Sequence, residues 1–191
     1  MSTSEEERVQ ELIREEISLL PYDPEWPNAF QEEAEHLRGL LPQKLIRRIE
    51  HFGSTSVPGL SAKPVVDMLV EVSSLEETKN VVVPILRSAG YEYFWRPTID
   101  DQPPWYAWFI KRNPRGERTH HIHMVEGDSE LWERLLFRDY LRAFPAEAGN
   151  YAQLKRTLSK DFQHDRAAYT KGKTEYIQSV MKKAKEYFTK V

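Results

Sequence analysis

The run Val65-Val66-Asp67-Met68-Leu69-Val70-Glu71-Val72 constrains the fold more than any other stretch of the sequence. Short, apolar and rich in β-branched side chains, it reads as a strand. Its even-numbered members are all apolar, so a period of two turns Val66, Met68, Val70 and Val72 toward a core. The same period gathers Asp67, Leu69 and Glu71 on the opposite face. A carboxylate in such a strand is costly unless something satisfies it. Asp67 is therefore expected to have a cation or hydrogen-bond donor beside it, whereas Glu71 reads as a surface charge.

The flanking sequence supplies both helices and strands. Apolar spacing predicts a helix over 4–17 and a second one carrying Trp26, Phe30, Ala34, Leu37 and Leu41, closed by Pro42. A third helix is expected over 75–89, ended by Gly90 and open to a kink at Pro84. Further strands are expected at 48–52, 91–95, 105–111 and 117–125, with 96–104 as a loop and 113–116 as a turn. Beyond Gly127 the pattern becomes helical, in three segments broken near Pro145 and His164. The aromatic residues there (Trp132, Phe137, Tyr140, Tyr151 and Tyr169) can line an acceptor pocket or simply pack, and packing is the ordinary reading. The expected fold class is α+β, a mixed sheet of four or five strands with flanking helices and a helical C-terminal part. It divides into an N-terminal helical extension (1–21), an α/β core (22–127) and C-terminal helices packed on the core (128–191).

Composition removes several function classes. The 191 residues include no cysteine, which excludes disulfides, cysteine-ligated zinc and thiol catalysis. A net charge of −3 gives no general attraction to polyanions, so nucleic acid is not an expected partner. No apolar run approaches the ~18 residues of a membrane span, and the acidic N-terminal segment is unlike a signal peptide. A cytoplasmic protein is expected.

Three local patterns carry chemistry. In His51-Phe52-Gly53-Ser54-Thr55-Ser56 a strand runs into small residues, where backbone N–H groups and the Ser54 hydroxyl can cradle a phosphate. In Thr119-His120-His121-Ile122-His123-Met124, strand periodicity puts His121 and His123 on one face, where two imidazoles can bind a divalent metal or donate to a phosphate. Lys63, Arg112, Arg118, Arg138, Arg142 and Lys155 are basic residues that can neutralise a triphosphate, although a solvated surface is the ordinary place for each.

These residues in this order resemble the GrpB family, bacterial proteins of the nucleotidyltransferase superfamily with the polymerase-beta-like fold. The resemblance runs from Tyr22-Asp23-Pro24-Glu25-Trp26 through the long run from Ile49 to Asp67, then His121-Ile122-His123 and the Phe137–Arg142 segment. It implies a nucleotidyltransferase fold and metal-assisted transfer of a nucleotidyl group from a nucleoside triphosphate to a small acceptor. Asp67 and His123 would then be catalytic, and Asp67, His121 and His123 would hold the metal. Gly53, Ser54, Thr55, Ser56, Lys63 and Arg112 would bind the nucleotide or other phosphorylated small molecule. Fusion of some relatives to dephospho-CoA kinase points to nucleotide or coenzyme metabolism.

The sequence departs from the superfamily pattern at a telling place. Active members hold Mg²⁺ with two carboxylates spaced i, i+2 and a third on a later strand. Here the i+2 residue is Leu69, Glu71 lies about 13 Å along the strand, and a histidine pair replaces the later carboxylate. One aspartate with two histidines suits Zn²⁺ or Mn²⁺ better than Mg²⁺. Three readings stay open: a nucleotidyltransferase-like enzyme, a protein that binds a nucleotide or phosphate without turnover, and a metabolic accessory protein whose helical C-terminal part contacts a partner.

Overall fold

The computed structural model describes residues 17–99 and 102–189. The expected helix over 4–17 lies almost wholly outside them. The first described helix, α1 (Trp26–Leu40), buries Trp26, Ala34 and Leu37 along one stripe. It is followed by β1 (Ile46–Phe52), a 3₁₀ turn (Ser54–Ser56) and β2 (Val66–Val72). The third helix runs as α2 (Leu75–Glu77), a π-helical turn (Thr78–Val82) and α3 (Val83–Ser88). Pro84 can donate no hydrogen bond and its ring crowds the preceding turn, so a widened turn precedes it instead of a sharp kink. Gly90, at φ 88°, ends the helix, and the Tyr91 amide donates back to the Leu86 carbonyl.

The remaining strands are β3 (Glu92–Ile99), β4 (Gln102–Arg112) and β5 (Arg118–Val125). The five strands lie in the order β1-β2-β5-β4-β3, parallel only between β2 and β5. Most of the expected 96–104 loop is strand, because β3 and β4 continue as a hairpin beyond the part of β4 that pairs with β5. Pro97 is tolerated there because β3 is an edge strand, where a missing donor interrupts no ladder.

The chain finishes with a 3₁₀ turn (Glu130–Glu133) and four helices, α4 (Arg134–Ala143), α5 (Pro145–Asp161), α6 (Arg166–Lys171) and α7 (Thr174–Thr189). The breaks expected near Pro145 and His164 are present, and a further one at Gly172-Lys173 makes four helices where three were expected. No described helix is long and apolar enough to cross a membrane.

The sheet has two unlike faces. On one, Met68, Val70, Phe109, Ile122 and Met124 pack against α1 and α3 as the main core. Glu33 of α1 is buried there too, satisfied by the Tyr91 hydroxyl and the Lys111 ammonium. On the other, Phe52, Leu69, Tyr106 and Val125 form a smaller cluster with Leu131 and Leu135 from the start of the helical part. The odd-numbered face of β2 is thus covered as well, and Leu69 is fully buried. Asp67 stands at the margin of this second cluster, where a cavity begins.

Candidate functional site

The parallel register of β2 and β5 sets Asp67 beside His121 and Leu69 beside His123. Paired residues in a sheet point to the same side, so both imidazoles reach the Asp67 face while Ile122 and Met124 enter the main core. The ligand-capable atoms of Asp67, His121 and His123 all lie within 4.8 Å of one another. Their states differ. His121 Nδ1 is 3.1 Å from Asp67 Oδ1, and its Nε2 lies 3.5 Å from Nη1 of the buried Arg118. Arginine can only donate, so Nε2 accepts and the proton on Nδ1 is directed at the carboxylate. Burial pushes the Asp67 pKa up, but the His121 hydrogen bond and the nearby His123 and Lys63 outweigh it and bring it to about 2. Asp67 is therefore ionised.

His123 is enclosed by the rings of Phe52, Tyr106 and Trp108, and its Nδ1 is buried without a hydrogen-bond partner among the described residues. Burial, aided by the Arg134 charge, lowers its pKa to about 3. The ring is thus neutral near pH 7, the form in which imidazole binds metals. A buried, neutral imidazole grouped with a carboxylate and a second imidazole fits a transition-metal cation by donor type.

The bend at Gly53 meets this cluster directly. Gly53 has φ 71° and ψ −170°, a region that only glycine occupies without strain. A Cβ built there would fall 2.5 Å from Asp67 Oδ2. Glycine is thus required twice, by the backbone and by the approach of the carboxylate. Beside the bend lies a cavity of about 550 Å³, bordered by Gly53, Ser54, Thr55, Lys63, Asp67 and His121. That volume suits a small-molecule ligand. Ser56 does not border it; its hydroxyl donates to the Gly53 carbonyl at 2.6 Å and closes the turn. His123 is buried and does not border the cavity, whereas Asp67 and His121 do.

Arg112, expected among the phosphate-binding residues, is placed elsewhere. It is anchored to Glu92 and to the Gly116 carbonyl at the β4–β5 turn and does not border the cavity. The positive charge on the cavity comes from Lys63 and, in place of Arg112, from Arg134, Lys155 and Lys173 of the C-terminal part. Lys155 is 2% exposed and its ammonium donates to Ser54 Oγ at 2.9 Å and to the Ser61 carbonyl. Phe137, Tyr151 and Tyr169 border the same cavity while also packing into helical clusters, so the aromatic residues there do more than pack. The sequence held one signal for Lys155. It falls on the buried stripe of α5, with Ala148, Tyr151, Ala152 and Leu158, where a solvated lysine would not be found.

Two arginines of α4 fasten the bend. Arg138 Nη1 donates to the His51 carbonyl at 2.9 Å and to Glu50 at 2.8 Å, and Arg142 donates twice to the Ser56 carbonyl, at 3.0 and 2.7 Å. Arg138→Met strands these acceptors, and a loss of about 1–3 kcal/mol in stability is expected. Urea unfolding checks it: a midpoint unchanged from the parent would show that the clasp does not stabilise the turn.

Comparison with known proteins agrees with this architecture. The GrpB protein family matches residues 16–183. A UPF0157 protein of Halalkalibacterium halodurans is 38% identical over 169 residues, covering 88% of this chain and 82% of its own. A dephospho-CoA kinase of Mycolicibacterium paratuberculosis is 27% identical over 195 residues, covering 92% of this chain and 47% of its own. The crystal structure of the conserved protein GrpB from Enterococcus faecalis superposes with a TM-score of 0.78 at 34% identity, over 90% of this chain and 99% of that one. With a matching family profile over most of its length and a solved relative of the same shape, the chain belongs to the GrpB family.

Proposed function

We propose that this protein has a nucleotidyltransferase-type site, in which Asp67, His121 and His123 hold a divalent transition metal and the adjoining cavity takes a nucleotide or related phosphorylated small molecule. The observation that carries the proposal is the meeting of that three-residue cluster with a lysine-bearing cavity across the Gly53 bend. Gly53 and Ser54 offer close backbone approach and a hydroxyl to a phosphate, and Lys63 offers charge. A bound metal would act as a Lewis acid toward a phosphoryl oxygen. Asp67 and His123 enter as ligands: the first is ionised, and the second is too weak a base to carry protons near neutrality. In the transfer, an acceptor hydroxyl oxygen bonds to the α-phosphorus, the bond to the β-phosphate oxygen breaks, pyrophosphate departs and the hydroxyl proton goes to solvent. The name of the dephospho-CoA kinase relative agrees with a phosphorylated small molecule as ligand, although this chain spans less than half of that protein.

Binding without turnover is favoured by one feature. Leu69 fills the i+2 position and is fully buried among Phe52, Tyr106 and Val125, so no second carboxylate is available there. Thermal shift with Mn²⁺ or Zn²⁺ and a nucleoside triphosphate separates the outcomes, on the parent, Asp67→Ala and His123→Ala. Metal is expected to raise the parent's melting temperature, and both variants are expected to lose most of that gain. Equal gains in all three proteins would place the metal elsewhere. Pyrophosphate release with candidate acceptors then distinguishes an enzyme from a binder.

A further inference from the structure

Three lysines border one cavity, and none has a carboxylate partner among the described residues. Lys63 comes from the segment between the 3₁₀ turn and β2, Lys155 from α5, and Lys173 from the break between α6 and α7. Each ammonium lies over a tyrosine ring instead of against an acid. Lys63 is 5.7 Å and Lys173 4.4 Å from the centre of the Tyr169 ring, and Lys155 is 4.9 Å from that of Tyr151. Tyrosine faces attract cations but do not neutralise them. The acids at the rim, Glu130 and Glu133, are exposed, and Glu133 is engaged by Lys185. Asp67 is the one carboxylate at the cavity floor; its charge acts on Lys63 and Lys173, but it is bonded into the histidine cluster and is a single negative charge facing three cations.

Cations drawn from three separate segments into one enclosed space repel one another, and burial deprives them of water. The pKa values follow: burial, reinforced by neighbouring cations, lowers Lys63 and Lys155 to about 7. Such an arrangement is relieved by a ligand that brings several negative charges at once. We propose that Lys63, Lys155 and Lys173 form a subsite for linked phosphates, and that the cavity takes a molecule with two or more phosphates whose uncharged end lies against Phe137, Ile177 and Met181. The proposal shares its location with the metal reading above but does not require the metal. It also gives the C-terminal helices a defined task. They supply two of the three cations and the apolar wall, so the sheet and the helices each build half of the site.

Calorimetry on the full chain in EDTA tests this with three probes: orthophosphate, inorganic tripolyphosphate and a nucleoside triphosphate. Tripolyphosphate is expected to bind at least about tenfold tighter than orthophosphate, and Lys63→Gln and Lys173→Gln are each expected to lower its affinity about tenfold. Both positions are half-buried, so folding is checked by melting temperature, and Lys173→Arg should restore binding where Lys173→Gln loses it. The nucleoside triphosphate is expected to bind more tightly than tripolyphosphate, with the excess lost in Ile177→Ser; equal affinities would overturn the assignment of the apolar wall. Tripolyphosphate binding no tighter than orthophosphate, or folded lysine variants that bind like the parent, would overturn the subsite. Asp67→Asn separates the two readings, because the subsite predicts retained tripolyphosphate binding in a protein that has lost its metal response.

Discussion

Gly53→Ala is expected to abolish metal and nucleotide binding, with a loss on the order of 100-fold or more, while leaving a folded protein. Two costs coincide at this position. The backbone at φ 71° and ψ −170° disfavours any side chain by about 1–3 kcal/mol. The new methyl group would also meet Asp67 Oδ2 at 2.5 Å, so either the carboxylate or the bend must move. A displacement of about 1 Å is enough to cost about 100-fold in a positioned site. Gly59→Ala supplies the control: Gly59 also has positive φ, at 77°, but nothing lies within 4 Å of its would-be Cβ. It should lose stability and keep binding. Titration calorimetry with Mn²⁺ on both variants reads the difference, and parental affinity in Gly53→Ala would show that the bend does not shape the site.

The second large effect is a steep loss of stability in mild acid. His51 stacks on Phe30, bonds to Thr55 Oγ1 and is held at a pKa of about 4, chiefly by burial. His123 is held at about 3 by burial and the Arg134 charge. In the unfolded chain each takes a proton near pH 6.5. Between that value and the folded pKa the unfolded state binds more protons, so stability rises with pH across the window and falls as pH drops through it. Each histidine contributes about 1.4 kcal/mol per pH unit in that window. His120 and His121 are shifted in the same direction, again first by burial. Urea unfolding at pH 7, 6 and 5 should show a drop of about 2 kcal/mol for the last unit from His51 and His123 alone. A flat profile would mean these rings are protonated in the folded state.

The legible part of the site was the part governed by strand periodicity. Alternation told which side chains share a face within β2 and within β5; the grouping of Asp67 with His121 and His123 came from the family resemblance, and the parallel register that brings the two strands together is visible only in the structure. The bend at Gly53 was legible from its small residues, although its steric reason, the approach of Asp67, exists only in three dimensions. Two things were hidden. Pro97, Pro103 and Pro104 disguised strand as loop, because local propensity does not reveal which strand will be an edge. The grouping of the cavity's cations was hidden for a related reason: Lys63 and Lys155 were legible as basic residues able to neutralise a triphosphate but not as neighbours, and Lys173 was not singled out at all. Lys155 and Lys173 sit some ninety residues and more beyond Ser54 and Lys63, and only the packing of the helices returns them to the bend. Arg112 was nearer the histidine strand in sequence, but the hairpin that carries it spends its charge on Glu92.

Anomalous diffraction from crystals grown with Mn²⁺ tests the metal assignment most directly. A single strong peak is predicted about 2.0–2.3 Å from an Asp67 oxygen and from one ring nitrogen each of His121 and His123. Saturating Mn²⁺ with no density at that point, or with its peak on other carboxylates, would contradict the account.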